Sequence, residues 1–372
     1  MKIMHLSDLH LGKVLNGFSL MHDQKHILSQ IVSIAENKKP DCIVIAGDIY
    51  DRSNPSAEAV ALFDEFLNAL ADNNFPVMAI SGNHDAPERI AYGNKIMRKS
   101  NIYLSPVYDG NIKPVILNDS FGEVCFWLLP FVNPTKVRKF FGESQINNYT
   151  DALRVAVSSM NTDINKRNIL VAHQFVTGAL RSESEYAGNL ENVNAEVFEK
   201  FDYVALGHIH RPQNIGSQKI RYCGTPLKYS FSEANHDKSV TFVEISEKNS
   251  PLKIETEKLS PLFDMREIEG KFEEIMSSPR SDDYIRITLT DEEPILNVVD
   301  RLRTRFRNVM SISYSNIRTN SVIDIDHETS FSNNSPKELF ADFYKLVDGN
   351  EISQEQSALV NSIIDEIWGY EI

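Results

Sequence analysis

A four-layer α/β/β/α sandwich is the architecture this sequence predicts for its first 260 residues, and three observations predict it. Four apolar runs, Ile3 to Leu6, Cys42 to Ala46, Val77 to Ile80 and Ile169 to Ala172, have the length of buried strands, and each is closed by a tight turn and a polar residue. Helical patterns lie between the first three, with Ile27, Ile31 and Ile34 on one face and then Val60, Phe63, Phe66, Leu67 and Leu70, as expected of βαβ units. From about residue 213 the pattern changes to short strands, Lys219 to Cys223, Ser239 to Ile245 and Lys253 to Lys258. Together these give the profile of two sheets packed on each other with helices outside.

A second unit, a small α+β capping domain over residues 261–320, is expected after Pro261. Asp283 to Thr290 alternates as a strand, Val298 to Phe306 places Val299, Leu302 and Phe306 on one helical face, and Met310 to Tyr314 alternates again. Arg301, Arg303, Arg305 and Arg307 form the densest basic cluster of the chain. Spacing of two spreads these arginines around a helix, so they cannot all face one phosphate track; a solvated face and a DNA-guiding surface both fit. Residues 321–335, rich in Ser, Asn, Asp and Thr, read as a linker. Residues 336–372 then offer two amphipathic helices, Pro336 to Leu346 with Leu339, Phe340, Phe343 and Leu346, and Ser353 to Trp368 with Leu359, Ile363, Ile364 and Ile367. With two lysines against eight carboxylates, this pair suits docking in a partner's groove, or folding back as a hairpin on its own domain.

At 372 residues the chain is long enough for two or three domains, and 42% hydrophobic with 24% charged residues is the composition of an ordinary globular protein. The first residues run straight into a strand, which argues against a cleavable signal, and no apolar run approaches the roughly 18 residues of a membrane helix. Cys42, Cys125 and Cys223 lie in strand-like runs without CxxC spacing, so buried thiols and a cytoplasmic location are expected. A net charge of −14 excludes a simple electrostatic nucleic-acid binder, since such a chain repels the polyanion at long range. Divalent metals at a site, or a basic partner, would soften that repulsion.

The chemistry concentrates in five short segments: Asp8 with His10, Asp48, Asn83 with His84, His173, and His208 with His210. Each follows an apolar strand, and strand ends in an α/β sheet converge on one crevice. Strand alternation predicts that the i and i+2 pairs Asp8/His10 and His208/His210 each send two ligands to one side. Carboxylate, carboxamide and imidazole without thiolate suit manganese, iron, zinc or magnesium rather than a structural zinc knot. Two such ions about 3.5 to 4 Å apart, sharing one carboxylate, are suited to phosphoester hydrolysis. His5, His22, His26, His236 and His327 are assigned structural or surface roles, with His5, inside the first strand, the least settled of them.

The segments Asp8-Leu9-His10, Gly47-Asp48, Gly82-Asn83-His84-Asp85, His173 and Gly207-His208-Ile209-His210 resemble the signature of the calcineurin-like metallophosphoesterases. The runs His5 to Gly12, Gly82 to Arg89, Tyr203 to Pro212 and Gly224 to Ala234 narrow the resemblance to the SbcD family of nuclease subunits, over residues 1–260 and more weakly beyond. The resemblance implies one metal held by Asp8, His10 and His210, another by Asn83, His173 and His208, and Asp48 as their bridge. It implies two divalent ions, with manganese favoured, and His84 facing the scissile phosphate with Asp85 orienting its ring. Asp85 reads equally well as a turn or helix cap before Pro87. Where some relatives carry a histidine three residues after the bridging aspartate, this chain has Asp51, so that histidine's role is not carried across.

The implied function is a DNA nuclease, 3′–5′ exonucleolytic on duplex ends and endonucleolytic on single strands and hairpins, working with an SbcC-type ATPase in repair and recombination, with Arg89, Arg301 and Arg305 as candidate DNA contacts. A homodimer through residues 19–37 or 56–73 is a further expectation. A stand-alone phosphoesterase for small phosphodiesters or phosphoproteins would use the same ligands, but needs no cap, linker or terminal helices. A purely structural DNA-end adaptor needs no intact ligand set.

Overall fold

Strands form where the apolar runs lie, because two buried faces demand side chains that pack on both sides of the pleat. The computed structural model describes residues 1–142, 146–182, 192–315 and 352–368, with Lys337, Phe340, Ala341 and Tyr344. In chain order the first unit, Met1–Met265, contains β1 (Lys2–Leu6), the hairpin β2 (Val14–Leu15) and β3 (Phe18–Ser19), β4 (Cys42–Ala46), β5 (Val77–Ile80) and β6 (Ile102–Leu104). There follow β7 (Val115–Asp119), β8 (Gly122–Leu129), β9 (Arg167–His173), β10 (Tyr203–Gly207), β11 (Gln213–Ile215), β12 (Ser217–Tyr222), β13 (Ser239–Glu244) and β14 (Lys253–Lys258).

Two six-stranded sheets result, ordered β14-β13-β1-β4-β5-β6 and β11-β12-β10-β9-β8-β7. The inner strands of each are parallel, while β13 and β14 extend the first sheet and β11 and β7 edge the second antiparallel. Alternation divides the cores. Cys42, Val44, Ala46, Met78 and Ile80 of the first sheet meet Phe126, Leu128, Ile169, Val171 and Tyr203 of the second in one cluster between the sheets. Leu170, Ala172, Val204 and Leu206 face the other way, under the helix Tyr149–Ser158 with its Leu153, Ala156 and Val157. Helices Met21–Lys38 and Ala57–Asp72 bury Ile27 and Ile31, and Leu62, Phe63, Phe66 and Leu67. Each such side chain contributes roughly 1.5–3 kcal/mol on leaving water. The α/β/β/α sandwich is thus present, and it carries the C-terminal ends of β1, β4, β5, β9 and β10 to one edge.

At the opposite end of β9, the buried Arg167 ties the sheet together. Its two terminal nitrogens bond both oxygens of Asp119 at 2.9 and 2.5 Å, and also reach the carbonyls of Gly122 and Ser246. Arg167 holds the Asp119 carboxyl well below the usual carboxylate range. Cys42, Cys125 and Cys223 are free and buried, as expected. Among the described residues no helix is long and apolar enough to cross a membrane.

The second unit, Arg266–Ile372, begins five residues beyond the boundary expected from sequence. Its sheet runs β15 (Met265–Gly270), β16 (Ser281–Leu289) and β17 (Phe306–Tyr314), with β16 and β17 parallel. Ile285, Ile287, Leu289, Phe272, Ile275, Leu302 and Phe306 form its core. The expected β-α-β unit is there, but its helix covers only Val298–Arg303. Phe306 is buried as the first residue of β17, not as the end of the helix, because pairing with β16 wins over the helical period; Val299 is 40% exposed. Arg305 and Arg307 therefore lie outside the helix.

A helix spans Gln354–Trp368, started by a reciprocal cap in which Ser353 Oγ accepts from the Gln356 N–H and Gln356 Oε1 from the Ser353 N–H. The expected linker, and the expected helix at 336–346 apart from four residues, lie outside the described residues.

Replacing Arg167 by Met should cost about 1–3 kcal/mol and lower the thermal midpoint, since the carbonyls of Gly122 and Ser246 lose their donor and Asp119 keeps only the N-terminal ammonium, at 2.8 Å, as a cationic partner. Because the Asp119 pKa is depressed in the folded state, its stabilisation is fully present above its ordinary value near 4 and fades as pH falls below that. The acid limb of a stability–pH curve should be steeper in the parent protein than in Arg167→Met.

Candidate metal centre

Backbone conformation builds this site before any side chain does. Asp8, His10, Asp48 and His208 have φ of +53, +44, +47 and +98°, a region that non-glycine residues enter at a cost. They are therefore not strand residues, and alternation is not what aims them. The turns after β1 and β4 brace each other instead: Asp8 N–H donates to Gly47 O at 3.0 Å, His10 N–H to Asp48 O at 3.0 Å and Leu11 N–H to Ile49 O at 2.9 Å. Two glycines admit the close approach. A Cβ on Gly82 would overlap the Asp48 carboxylate, and one on Gly207 would overlap the Ala46 carbonyl and the His173 ring.

The seven expected ligands come together. Asp8, His10 and His210 offer donor atoms within 4.8 Å of one another. Asn83 Oδ1 lies 2.9 Å from both His173 Nε2 and His208 Nδ1, the separation of atoms that share an ion at about 2.1 Å. Asp48 Oδ2 lies between the trios, 3.7 Å from His10 Nε2 and 3.3 Å from His173 Nε2. Of the pair His208/His210, one ring joins each trio, the division the resemblance implies.

The fit to metal is independent of any resemblance. His10 is 2% exposed, yet neither ring nitrogen has a hydrogen-bond partner, an arrangement that costs free energy unless something else binds there. The outer nitrogens are fixed. His173 Nδ1 faces Ala46 O at 2.8 Å, and His210 Nδ1 faces Glu233 Oε1 at 3.0 Å, leaving both Nε2 atoms for an ion. Burial opposes charge on His173, but Asp48 and Asp8 outweigh it and lift the imidazole to about 9. Burial would raise Asp48; His173, His10 and His84 overcome it and hold the carboxyl well below its usual range. Burial, with the charge of His173, pushes His208 down to about 3.

Asp85 is corrected. It does not orient His84; its carboxylate accepts from the N–H groups of Gly82 at 2.9 Å, Tyr50 at 2.9 Å and Ile49 at 3.1 Å, and so clamps the turn bearing Asp48. Burial and the neighbouring Asp48 charge push it up to about 6. The His84 ring is held by the Asp51 carbonyl, 2.9 Å from its Nδ1, while its backbone N–H donates to Asp48 Oδ1 at 2.9 Å. Asp51 thus serves twice, since its carboxylate stands 3.5 Å from His10 Nδ1 and 2.8 Å from Lys13 Nζ. His5 is a core residue, fully buried with Nδ1 2.9 Å from the Tyr203 hydroxyl.

Sequence reasoning missed Glu233. Fully buried, it bonds His210, Lys238, Ser230 and Thr225. Its segment, Gly224 to Ala234, carried the resemblance, but nothing local marks a glutamate as the partner of a histidine 23 residues away. Of the arginine candidates, Arg89 bonds Asn54 at 2.8 Å, and Arg301 lies 4.1 Å over the Phe272 ring and 3.4 Å from Glu273. Arg305 donates to the carbonyls of Ser277 and Ser278.

A family model for calcineurin-like phosphoesterases matches residues 1–212, and one described as a type 5 capsule protein repressor C-terminal domain matches 261–348. The SbcD subunit of the SbcCD nuclease of Staphylococcus epidermidis is 35% identical over 99% of both chains. The chain belongs to the SbcD family. Its counterpart from Staphylococcus saprophyticus, also an SbcD subunit of an SbcCD nuclease, is 34% identical over 98% of both chains. Full-length matching joins the second unit of this SbcD-family chain, as well as its phosphoesterase unit, to the relatives.

Glu233→Gln should weaken divalent-metal binding at the His210 trio about 10- to 100-fold while leaving the Asn83 trio near its original affinity, read by calorimetric titration with manganese as the probe. Equal weakening of both would place Glu233 outside the His210 trio.

Proposed function

We propose that this chain is the manganese-dependent nuclease subunit of an SbcCD-type complex, hydrolysing DNA phosphodiesters at duplex ends and in single strands and hairpins. The observation that carries the reading is Asp48 Oδ2, set between the Nε2 atoms of His10 and His173, one from each ligand trio. Two divalent ions held by Asp8, His10, Asp48 and His210 and by Asn83, His173, His208 and Asp48 would activate a water and offset charge on the phosphoryl oxygens. The oxygen and nitrogen donor set suits manganese.

His84 acts on the leaving side. With Nδ1–H given to the Asp51 carbonyl, which can only accept, Nε2 is the ring atom left for the substrate, where it would stabilise the developing charge or pass a proton to the departing oxygen. Asp85 is a positioning residue for the Asp48 turn. Arg89, exposed and five residues beyond His84, is the cation this reading places on the DNA. The helix Gln354–Trp368, with Leu359 63% and Ile363 46% exposed, is assigned to an SbcC-type ATPase that supplies the basic track this acidic chain lacks. The setting is the cytoplasm, at the nucleoid, in DNA repair and recombination.

The test is release of nucleotides from a blunt, end-labelled duplex by the purified chain with manganese, with and without the ATPase and ATP. His84→Gln should retain two manganese ions and lose at least about 100-fold in rate. Turnover of small phosphodiesters with no DNA cleavage would replace the reading by a stand-alone phosphoesterase.

A further inference from the structure

Beside the metal centre, two clefts of about 290 and 280 Å³ adjoin, sharing Val107, Tyr108 and Pro130 as a common wall. The first opens next to the reacting groups. Its Phe131 stands edge-on to the His173 ring with centroids 6.3 Å apart, and the Phe131 N–H bonds the Ser81 carbonyl at the strand end that leads into Asn83 and His84. Pro87, three residues past His84, lines the same cleft.

Two features of this trough suit a ligand. The first is charge. Lys136 and Lys139 line the first cleft and Arg98 and Lys113 the second, against Glu88 and Asp109, and none of the four cations makes an ion pair among the described residues. Lys136 is partly buried, its ammonium 3.4 Å from the Phe131 carbonyl and 5.7 Å from that ring's centroid. Burial lowers its pKa, so an anion there would be welcome. The second is aromatic surface: Phe140 is 48% exposed at the cleft, packed edge-on against Tyr108 with centroids 5.7 Å apart.

The geometry points to a single-strand subsite: the trough of Phe131, Lys136, Phe140 and Tyr108, continuing past Arg98 and Lys113, receives the nucleotides adjoining the scissile phosphate. Aromatic faces take the bases, and Lys136, Lys139, Arg98 and Lys113 take the flanking phosphates, a combination that binds single strands without reading their sequence. This rests on the nuclease reading above and extends it to how the strand is held.

The experiment compares the affinity of the manganese-loaded full chain for a 5′-phosphorylated thymidine dinucleotide with that for methyl phosphate, which has a phosphate but no base. The dinucleotide should bind at least about fivefold more tightly, the low end for one stacked base. Phe140→Ala and Lys136→Met should each remove most of that preference, and Phe140→Trp should keep it. Equal affinity for the two probes in the parent chain, or a preference unchanged in both variants, overturns the subsite. DNA cleavage is scored separately: DNA cut without a dinucleotide preference keeps the nuclease reading and removes the trough, and a chain that cuts no DNA loses both.

Discussion

Asp48 leaves the end of β4 at a φ of +47°, with one carboxylate oxygen accepting the His84 N–H and the other between two imidazoles from different ligand sets. The surrounding structure exists to hold it there. Gly82 is bare so that the carboxylate fits, the Asp85 clamp fixes the turn, and the Asp8 and His10 N–H groups bind the carbonyls of Gly47 and Asp48. Because β1, β4 and β5 are parallel neighbours, their turns are adjacent, and the second sheet presents His173 to the Ala46 carbonyl from across the core. Two carboxylates and five nitrogen or carboxamide donors so crowded are stable only with a compensating charge, which divalent ions provide.

Around this point lies a layer of buried polar groups whose only work is to aim the ligands. Glu233, shared among His210, Lys238 and two hydroxyls, fixes one ring; the Ala46 carbonyl fixes another. The contacts of Asp51 likewise turn inward, to His10, Lys13 and, through the carbonyl, His84.

Much of this was legible in the sequence. The strands that carry ligands are short, continuous and apolar, and all seven ligands sit at or just past their ends, so both fold and site could be read from pattern. What could not be read depends on conformation or on distance. The positive-φ turns at Asp8, His10 and His208 are invisible to a reading based on strand alternation. Asp85 next to His84 in sequence suggested a pair, yet its partners are backbone N–H groups, two of them from another turn. Phe306 kept a helical spacing with Leu302 although a strand begins there.

The central claim is that one aspartate oxygen bridges two metals, and electron paramagnetic resonance of the chain loaded with two equivalents of manganese addresses it directly. Ions about 3.5–4 Å apart across Asp48 should give the broad, multiline spectrum of an exchange-coupled pair. A simple six-line spectrum, integrating to two isolated ions, would mean that the trios bind separately and that Asp48 is not a bridge.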